Sequence, residues 1–505
     1  MFEKLSGLAP FAPSHNKLDE FGVSGFKYLN LSSMKRISIP ALTILALAGF
    51  AFFTAESEYS DARNPLVINA GQPSAKDNFM KYCAGCHGSK MERFAGNTWE
   101  AFKAGGDLTP VIKNGLPVLG MPSFEKAFTS AEMKSISDYI LEMKDKKTVP
   151  AAVKFPAVVH TKHQAFKIDT VAKGLDVPWG MAFLPDGDML VTERSGQLFR
   201  FSGGKLKAVI SGVPEVLAQG QGGLMDIVLH PKYKENGWIY ISYSQKAPNG
   251  DGGNTAIFRA RLKENKLVEQ QELFKAIPNT TSGVHFGCRM VFDDQGYLYF
   301  SVGERGKKEN AQTLTNHCGK IHRIFDDGRI PPDNPFVNTP GAMPTIYSYG
   351  HRNPQGIEIH PVSRRIYNNE HGPRGGDEIN LVGKGNNYGW PVITFGINYD
   401  GTIITKETAK EGMEQPVFQW TPSIGPSSMK FVTGNRYPGW KDDLLSGSLS
   451  FKYLERVRLE NGKVTEQEKL LENAGRVRNV TMSPDGYIYV AVESPGLIVK
   501  LIPVN

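Results

Sequence analysis

The chain is poor in cysteine, with four among 505 residues, which excludes a disulfide framework as the source of its stability. A chain of this length buries a core large enough to fold without such crosslinks. Dense basic runs are also lacking, because 58 lysines and arginines are interspersed with 51 acidic residues. That mixture is typical of a solvated surface and predicts no nucleic-acid partner. The 40% apolar content excludes a disordered chain.

Long apolar runs are absent apart from one, the uncharged stretch at positions 37–55. The basic sequence MKR at 34–36 precedes it and small residues follow near Ala55, which is the order of a secretory signal. A proline and a glycine inside the run favour cleavage, whereas an uncleaved run of this length would anchor the chain in a membrane. We predict that residues 1–55 form an upstream extension plus a signal peptide or anchor. The rest is then periplasmic, and only an uncleaved segment brings it to a membrane.

Two regions with different hydrophobic patterns follow residues 1–55, and they are called the two bodies below. Residues 74–147 have a helical pattern, with apolar side chains at helical spacing through 129–143. Residues 148–165 contain prolines and lysines without periodicity and are predicted to be a loose linker. From 166 to 505, alternating apolar residues and an excess of glycine and proline predict strands joined by tight turns.

A strand–turn–strand unit recurs six times in the second body, with period-two alternation and Gly, Asn or Asp in the turn. The copies occupy residues 181–194, 226–244, 290–304, 357–372, 429–449 and 480–493. Such repetition is typical of a radial architecture. The predicted fold is an all-β six-bladed β-propeller preceded by a small all-α domain. A large β-sandwich is the alternative.

The helical body contains CAGCH at 83–87, the C-x-x-C-H motif of c-type haem attachment. Cys83 and Cys86 would form thioethers to the haem vinyl groups, and His87 would bind the iron. A redox C-x-x-C or half of a zinc site is the alternative, but no second cysteine pair accompanies the motif. Met121, in a rigid Gly/Pro loop, is the predicted sixth ligand, and methionine ligation suits an electron acceptor. The body resembles a class I cytochrome c.

The second body contains HFGCR at 285–289 and YGHRNPQG at 349–356. With NEHGPRGGDEINLVGKGNNYGWP at 369–391 and GRVRNVTMSPDG at 475–486, these motifs resemble the soluble PQQ-dependent sugar dehydrogenases, the glucose/sorbosone and aldose sugar dehydrogenase family. The resemblance covers nearly the whole body. It implies a six-bladed propeller, in agreement with the repeat count.

The resemblance implies a site for PQQ, a planar quinone with three carboxylates. Arginine guanidinium groups bind such carboxylates through two parallel hydrogen bonds. Two of the predicted arginines alternate on one strand and share a face, so both can reach one anion. His285 matches the family's catalytic base, which takes the proton of the sugar hydroxyl while the C1 hydride passes to the quinone. The predicted PQQ-binding residues are Gln221, Arg352, Asn353, Lys452, Arg476 and Arg478.

A calcium ion that polarises the quinone is implied by the same family, held partly by backbone carbonyls as suits a hard cation. The matching positions are Gly372 and Pro373. A second, structural calcium ion of some members would fall at Asp377, Glu378 and Tyr388, where an ordinary acidic loop is the alternative.

The chain departs from the family pattern at two places. The best-studied members have an acidic residue before the base, where this chain has Val284, so the support of His285 is open. A family lysine falls at Ser450, and Lys452 on the same strand face is predicted to replace it. Cys288 and Cys318 also lie beside family motifs, and an exported chain would hold them as a disulfide or as buried free thiols.

Together these features predict a periplasmic PQQ-dependent sugar dehydrogenase fused to a cytochrome. Its cofactors would be PQQ, haem c and Ca²⁺, and its substrate an aldose sugar or a related hydroxyl or hydrated aldehyde. A downstream acceptor, such as a soluble cytochrome or the respiratory chain, would collect the electrons. The alternative is a propeller without PQQ that binds glycans or proteins and serves as an electron-carrier module.

Overall fold

The computed structural model describes residues 73–87, 106–116, 121–144 and 153–504. The predicted extension and signal or anchor, residues 1–55, lies outside these ranges. Among the residues that the structure does describe, no helix combines the length and apolar character needed to cross a membrane.

The N-terminal described segments form a small helical domain. Its elements are α1 (Ala75–Asn78), a π-helical turn (Phe79–Cys83), α2 (Ala84–His87), α3 (Thr109–Asn114) and α4 (Ser130–Lys144). Ser74 and Asp77 cap α1 reciprocally, so the first backbone donors of the helix are satisfied. The predicted apolar stripe of α4 is confirmed, because Met133, Ile136 and Ile140 are buried in the core of the domain.

The second body consists of six antiparallel sheets, which confirms the six-bladed propeller. Blade 1 contains β3 (Pro178–Phe183), β4 (Met189–Glu193), β5 (Gln197–Ser202) and β6 (Lys205–Ile210). Blade 2 contains β7 (Leu224–Leu229), β8 (Trp238–Lys246), β9 (Gly253–Lys263) and β10 (Lys266–Lys275), with the short helix α5 (Tyr233–Asn236) after β7. Blade 3 contains β11 (Met290–Phe292), β12 (Tyr297–Val302), β13 (Lys320–Phe325) and β14 (Ile346–Tyr349).

The remaining blades complete the ring. Blade 4 contains β15 (Pro354–Ile359), β16 (Ile366–Glu370), β17 (Asp377–Val382) and β18 (Phe418–Trp420). Blade 5 contains β19 (Pro426–Phe431), β20 (Leu444–Ser448), β21 (Leu454–Glu460) and β22 (Lys463–Leu470). Blade 6 contains β23 (Arg476–Met482), β24 (Ile488–Glu493), β25 (Leu497–Val504), β2 (Ala165–Lys173) and β1 (Val159–His160). Short 3-10 helices occupy Lys308–Ala311 and Pro438–Trp440.

The ring closes in blade 6, where β2 pairs with β25. The first and last strands of the propeller therefore share one sheet, and the terminal blades cannot separate without breaking this ladder. Each predicted repeat begins on the first strand of a blade, and its hydrophobic alternation fits the burial of the blades against each other.

The predicted linker at 148–165 is shorter than the sequence pattern indicated. Phe155 and Val159 pack against the core between blades 5 and 6, and β1 extends the closing sheet. The Lys162 ammonium also lies 2.6 Å from the Glu466 carboxylate. Residues 153–165 therefore belong to the propeller, because a few apolar anchors fix a segment that has no periodicity of its own.

Candidate active site

The predicted base, His285, lies in a loop between β10 and β11 and has a positive φ of 56°. Its backbone N–H donates to Gln221 Oε1 at 2.8 Å, and the Arg305 guanidinium donates to the backbone carbonyl of Val284. A Cβ at Gly220 would lie 2.2 Å from the Gly283 oxygen, so only glycine permits this close approach of the two loops. These contacts fix a positive-φ backbone conformation that is uncommon for residues other than glycine.

The carboxylate that supports His285 comes from Glu304, which follows β12. Glu304 Oε1 lies 2.7 Å from His285 Nδ1, and the carboxylate is almost fully buried. Although Val284 has no carboxylate to support His285, Glu304 supplies one, because it reaches the imidazole ring from the neighbouring loop. Sequence reasoning missed this residue, although the repeat at 290–304 ends on it.

The electrostatics of the pair favour a neutral imidazole. Burial lowers the pKa of His285, Glu304 acts to raise it, and the charges of Arg352 and Arg305 lower it further. Burial acts to raise the pKa of Glu304, but this pKa is lowered, and with a neutral His285 the hydrogen bond from the imidazole and the charge of Arg352 are what lower it. The anionic carboxylate accepts a hydrogen bond from Nδ1–H, so the proton of the neutral imidazole stays on Nδ1 and Nε2 is the basic nitrogen.

A cavity of about 360 Å³ opens beside this pair. Its wall combines the base, cationic side chains and aromatic rings, which is a suitable surface for a planar anion. The lining residues are His285, Glu304, Gly306, Lys307, Lys308, Glu309, Arg352, Pro373, Trp390, Asn398 and Tyr399.

Arg352 and Asn353, at the start of blade 4, are both buried. Glu370 Oε2 accepts the Arg352 backbone N–H at 2.7 Å, and Arg352 Nη1 donates to the His371 carbonyl at 3.1 Å. Arg352 Nε and Asn353 Nδ2 have no hydrogen-bond partner among the described residues. Two buried donors without acceptors are costly to leave unpaired, so this part of the site is chemically incomplete without a ligand.

Arg476 and Arg478 both lie on β23, whose register is irregular between Val477 and Asn479, and both reach a single carboxylate. Arg476 Nε lies 2.9 Å and Arg478 Nε 2.6 Å from the two oxygens of Glu493 on β24. Both side chains therefore reach one anion, as predicted, but this anion is the Glu493 carboxylate of the chain itself. Neither arginine lines the cavity, and their contact with PQQ stays a prediction.

Lys452 also lies outside the cavity lining, in a left-handed backbone conformation between β20 and β21. The prediction that it shares a strand face with Ser450 is wrong, because both residues lie in the loop after β20 ends at Ser448. Its role as a replacement for the family lysine stays a prediction.

The predicted calcium positions have other partners in this structure. The Pro373 carbonyl accepts hydrogen bonds from the Ser423 hydroxyl at 2.8 Å and from the Gly376 N–H at 3.2 Å. The Gly372 N–H donates to Asp377 Oδ1 at 2.9 Å, and Asp377 Oδ2 accepts the Gly425 N–H. The structure thus uses these groups to fix the loop that forms one side of the cavity.

The structural calcium site at Asp377, Glu378 and Tyr388 stays a prediction. Burial raises the pKa of Asp377 to about 7, and burial and Glu370 together raise that of Glu378 to about 8. The Tyr388 hydroxyl accepts the Gly383 N–H and donates to the Leu381 carbonyl. Across the described ranges, no group of three or more His, Cys, Asp and Glu side chains has a metal-binding arrangement.

Cys288 and Cys318 are both buried free thiols rather than a disulfide. Cys288 Sγ donates to the Phe286 carbonyl at 3.0 Å, and Asn254 Nδ2 donates to Cys318 Sγ at 3.4 Å. Burial raises the pKa of Cys288 to about 12, so this thiol is inert near neutral pH.

The haem-motif residues lie in the small helical domain. Cys83 is buried in its core, His87 ends α2, and the side chain of Cys86 is outside what the structure describes. Met121 is partly buried against the same core, and its backbone exchanges two hydrogen bonds with Leu116. A thiol, an imidazole and a thioether on one small domain form a donor set that fits a covalently bound haem.

Fold and site together define a propeller oxidoreductase that carries an electron-transfer domain. Residues 175–500 match the family model described as Glucose / Sorbosone dehydrogenase, and residues 71–140 match Cytochrome C oxidase, cbb3-type, subunit III. The chain therefore belongs to the glucose/sorbosone dehydrogenase family and has a cytochrome c domain ahead of its propeller. The resemblance drawn from the sequence motifs is confirmed.

Relatives and solved structures agree with this assignment. Aldose sugar dehydrogenase YliI of Escherichia coli (strain K12) is 44% identical over 346 residues, 67% of this chain and 93% of that protein. The crystal structure of the soluble aldose sugar dehydrogenase from Escherichia coli in the apo-form matches at TM-score 0.65 and 42% identity, covering 67% of this chain and all of that one. The PQQ-bound aldose sugar dehydrogenase from Streptomyces coelicolor matches at TM-score 0.55 and 28% identity, covering 67% and 98%.

Proposed function

We propose that this sugar dehydrogenase is a periplasmic quinohaemoprotein that oxidises an aldose at C1 with PQQ and passes the electrons to its own haem c. The observation that carries the proposal is the buried His285–Glu304 pair at a cavity whose wall includes Arg352. The PQQ-bound form of a related aldose sugar dehydrogenase supports the choice of cofactor.

The cavity wall fits a planar anionic quinone. Lys307, Lys308 and Arg352 supply positive charge, and the Trp390 ring lies 5.3 Å from the Arg352 guanidinium. The unpartnered donors of Arg352 and Asn353 would find acceptors in its carboxylate and carbonyl oxygens. When bound, PQQ supplies a quinone carbon that accepts the hydride of the sugar C1.

His285 would act on the hydroxyl proton of the sugar. Because Glu304 holds Nδ1, the imidazole presents Nε2, and the lowered pKa keeps this nitrogen unprotonated at neutral pH. Removal of the hydroxyl proton raises the electron density at C1 and favours hydride departure. Arg352 is held through its backbone by Glu370, so its positive charge is fixed before any ligand enters.

A calcium ion at Gly372 and Pro373 belongs to the proposal only as a family expectation. The Pro373 carbonyl already accepts two hydrogen bonds, so a cation there would have to replace at least one of them.

The haem would be held by Cys83, Cys86, His87 and Met121 and would carry one electron at a time. Each sugar releases two electrons, so a downstream one-electron acceptor must empty the haem between two transfers. A soluble cytochrome or the respiratory chain would supply that acceptor, in a periplasm reached through the N-terminal signal or anchor.

Reconstitution of the full chain with PQQ and Ca²⁺ tests this function. We expect a free aldose to bleach the absorbance of the oxidised quinone. The methyl glycoside of the same sugar should leave that absorbance unchanged, because it lacks the anomeric hydroxyl. Bound PQQ that no aldose reduces would contradict the proposal and favour a glycan- or protein-binding module.

A further inference from the structure

We propose that the helical domain docks on the rim of its own propeller's cavity, through Tyr82 and Lys126 on its side and Arg374 and Asp400 on the other. The docking stands on the contact between Arg374 and Tyr82, supported by the charges of Lys126 and Asp400, whereas its use as the electron-transfer contact rests on the proposed function. The partner is thus a defined segment of the same chain.

Tyr82 is the first part of this contact. The Arg374 guanidinium carbon lies 5.0 Å from the centre of the Tyr82 ring, a cation–π distance. The ring is fixed in its own domain by edge-on contacts with Phe124 and Phe128, at 6.5 and 4.9 Å between centroids. Tyr82 directly precedes Cys83 of the haem motif, so this contact touches the segment that would hold the haem.

Arg374 connects the contact to the cavity. It directly follows Pro373, which lines the cavity, and its backbone exchanges two 3.0 Å hydrogen bonds with Ile397. Asn398 and Tyr399, the next residues on that second segment, also line the cavity. Docking at Arg374 therefore places the helical domain against the cavity rim.

A pair of opposite charges, Lys126 on the helical domain and Asp400 on the propeller segment that follows Ile397, supports this contact. Burial acts to raise the pKa of Asp400, but hydrogen bonds from Thr402 and the charge of Lys126 lower it. Lys126 is exposed on the helical domain, two residues after Phe124 of the Tyr82 cluster. The propeller segment thus presents an acid to a base on the face that carries Tyr82.

Tyr399, which lines the cavity, is 41% exposed, so the rim beside Arg374 is open to an approaching group. The connection is short as well, because the stretch between Lys144 and Val153 spans at most about 30 Å. A tether of this reach keeps the effective concentration of the helical domain at its own rim high.

The contact would carry single electrons. Oxidation of one aldose to its lactone releases two electrons and two protons, and each transfer reduces one ferric haem to ferrous haem. A downstream one-electron acceptor reoxidises the haem after each transfer, and the protons pass to solvent. Docking beside Pro373 shortens the path between the cavity and the Cys83 segment.

Hydrogen exchange of the full chain without PQQ or sugar tests the docking. We expect Tyr82→Leu and Lys126→Glu to speed amide exchange in residues 395–404 about two- to five-fold, as loss of a weak polar contact implies. The double variant Lys126→Glu/Asp400→Lys should restore the wild-type rate. Arg436→Gln is the matched control, because Arg436 lies 3.7 Å over Tyr487 outside the cavity and should leave this exchange unchanged.

Unchanged exchange in both single variants would overturn the docking. Stopped-flow absorbance separates this failure from failure of the proposed function. With PQQ and sugar, the docking variants should slow haem reduction while quinone reduction keeps its wild-type rate. If no aldose reduces the quinone but exchange still responds to the variants, the docking stands and the proposed function fails.

Discussion

Replacing His285 by alanine is expected to slow reduction of bound PQQ by an aldose about 10²–10⁴-fold, the usual loss with a general base. The physical reason is that the sugar hydroxyl then keeps its proton, so C1 is a poor hydride donor. Affinity for PQQ should stay close to wild type, because the carboxylates depend on cationic groups such as Arg352. Single-turnover stopped-flow absorbance of the quinone measures the rate directly.

Arg352→Gln is the complementary variant. It removes a guanidinium from the cavity wall and should weaken PQQ binding, measured by titration of the PQQ-free chain. A wild-type single-turnover rate in His285→Ala would assign the base to another residue.

Replacing Glu304 by glutamine is expected to slow the same step about 10²-fold and to move its pH dependence. Glu304 acts to raise the pKa of His285, so its neutralisation lowers that pKa. Protonated His285 cannot accept a proton, and activity falls as pH drops through this pKa. The acidic limb of the single-turnover profile should therefore move to lower pH, with a lower plateau because the base is weaker.

Glu309→Gln is the matched control for this experiment. Glu309 lines the same cavity, and the pKa of His285 is set by other groups. This variant should keep the wild-type acidic limb. An acidic limb that stays in place in Glu304→Gln would show that the Glu304 charge does not act on His285.

The fold was predictable because each blade repeats one local pattern. Period-two alternation on either side of a Gly, Asn or Asp turn specifies a hairpin, and six hairpins specify the ring. The linker was not, since Phe155 and Val159 anchor residues 153–165 through contacts with strands distant in sequence. No local pattern carries that information.

Site residues could be predicted only where they lie within a recognisable sequence motif. His285 and Arg352 stand in such motifs and line one cavity. Glu304 was missed because its contact with His285 depends on two loops brought together by blade packing. Gly372 was assigned to calcium, and Arg476 and Arg478 to PQQ. The structure pairs these groups with Asp377 and Glu493, and such pairings cannot be read from the sequence.

The central claim is that electrons pass from the propeller to the haem within one chain. Mixing the full chain, loaded with PQQ and haem, with an aldose in a stopped-flow instrument tests it directly. The expected result is a haem reduction rate that stays constant over a wide range of enzyme concentrations, because docking and transfer are intramolecular. A rate that rises in proportion to enzyme concentration would show transfer between molecules and contradict the account.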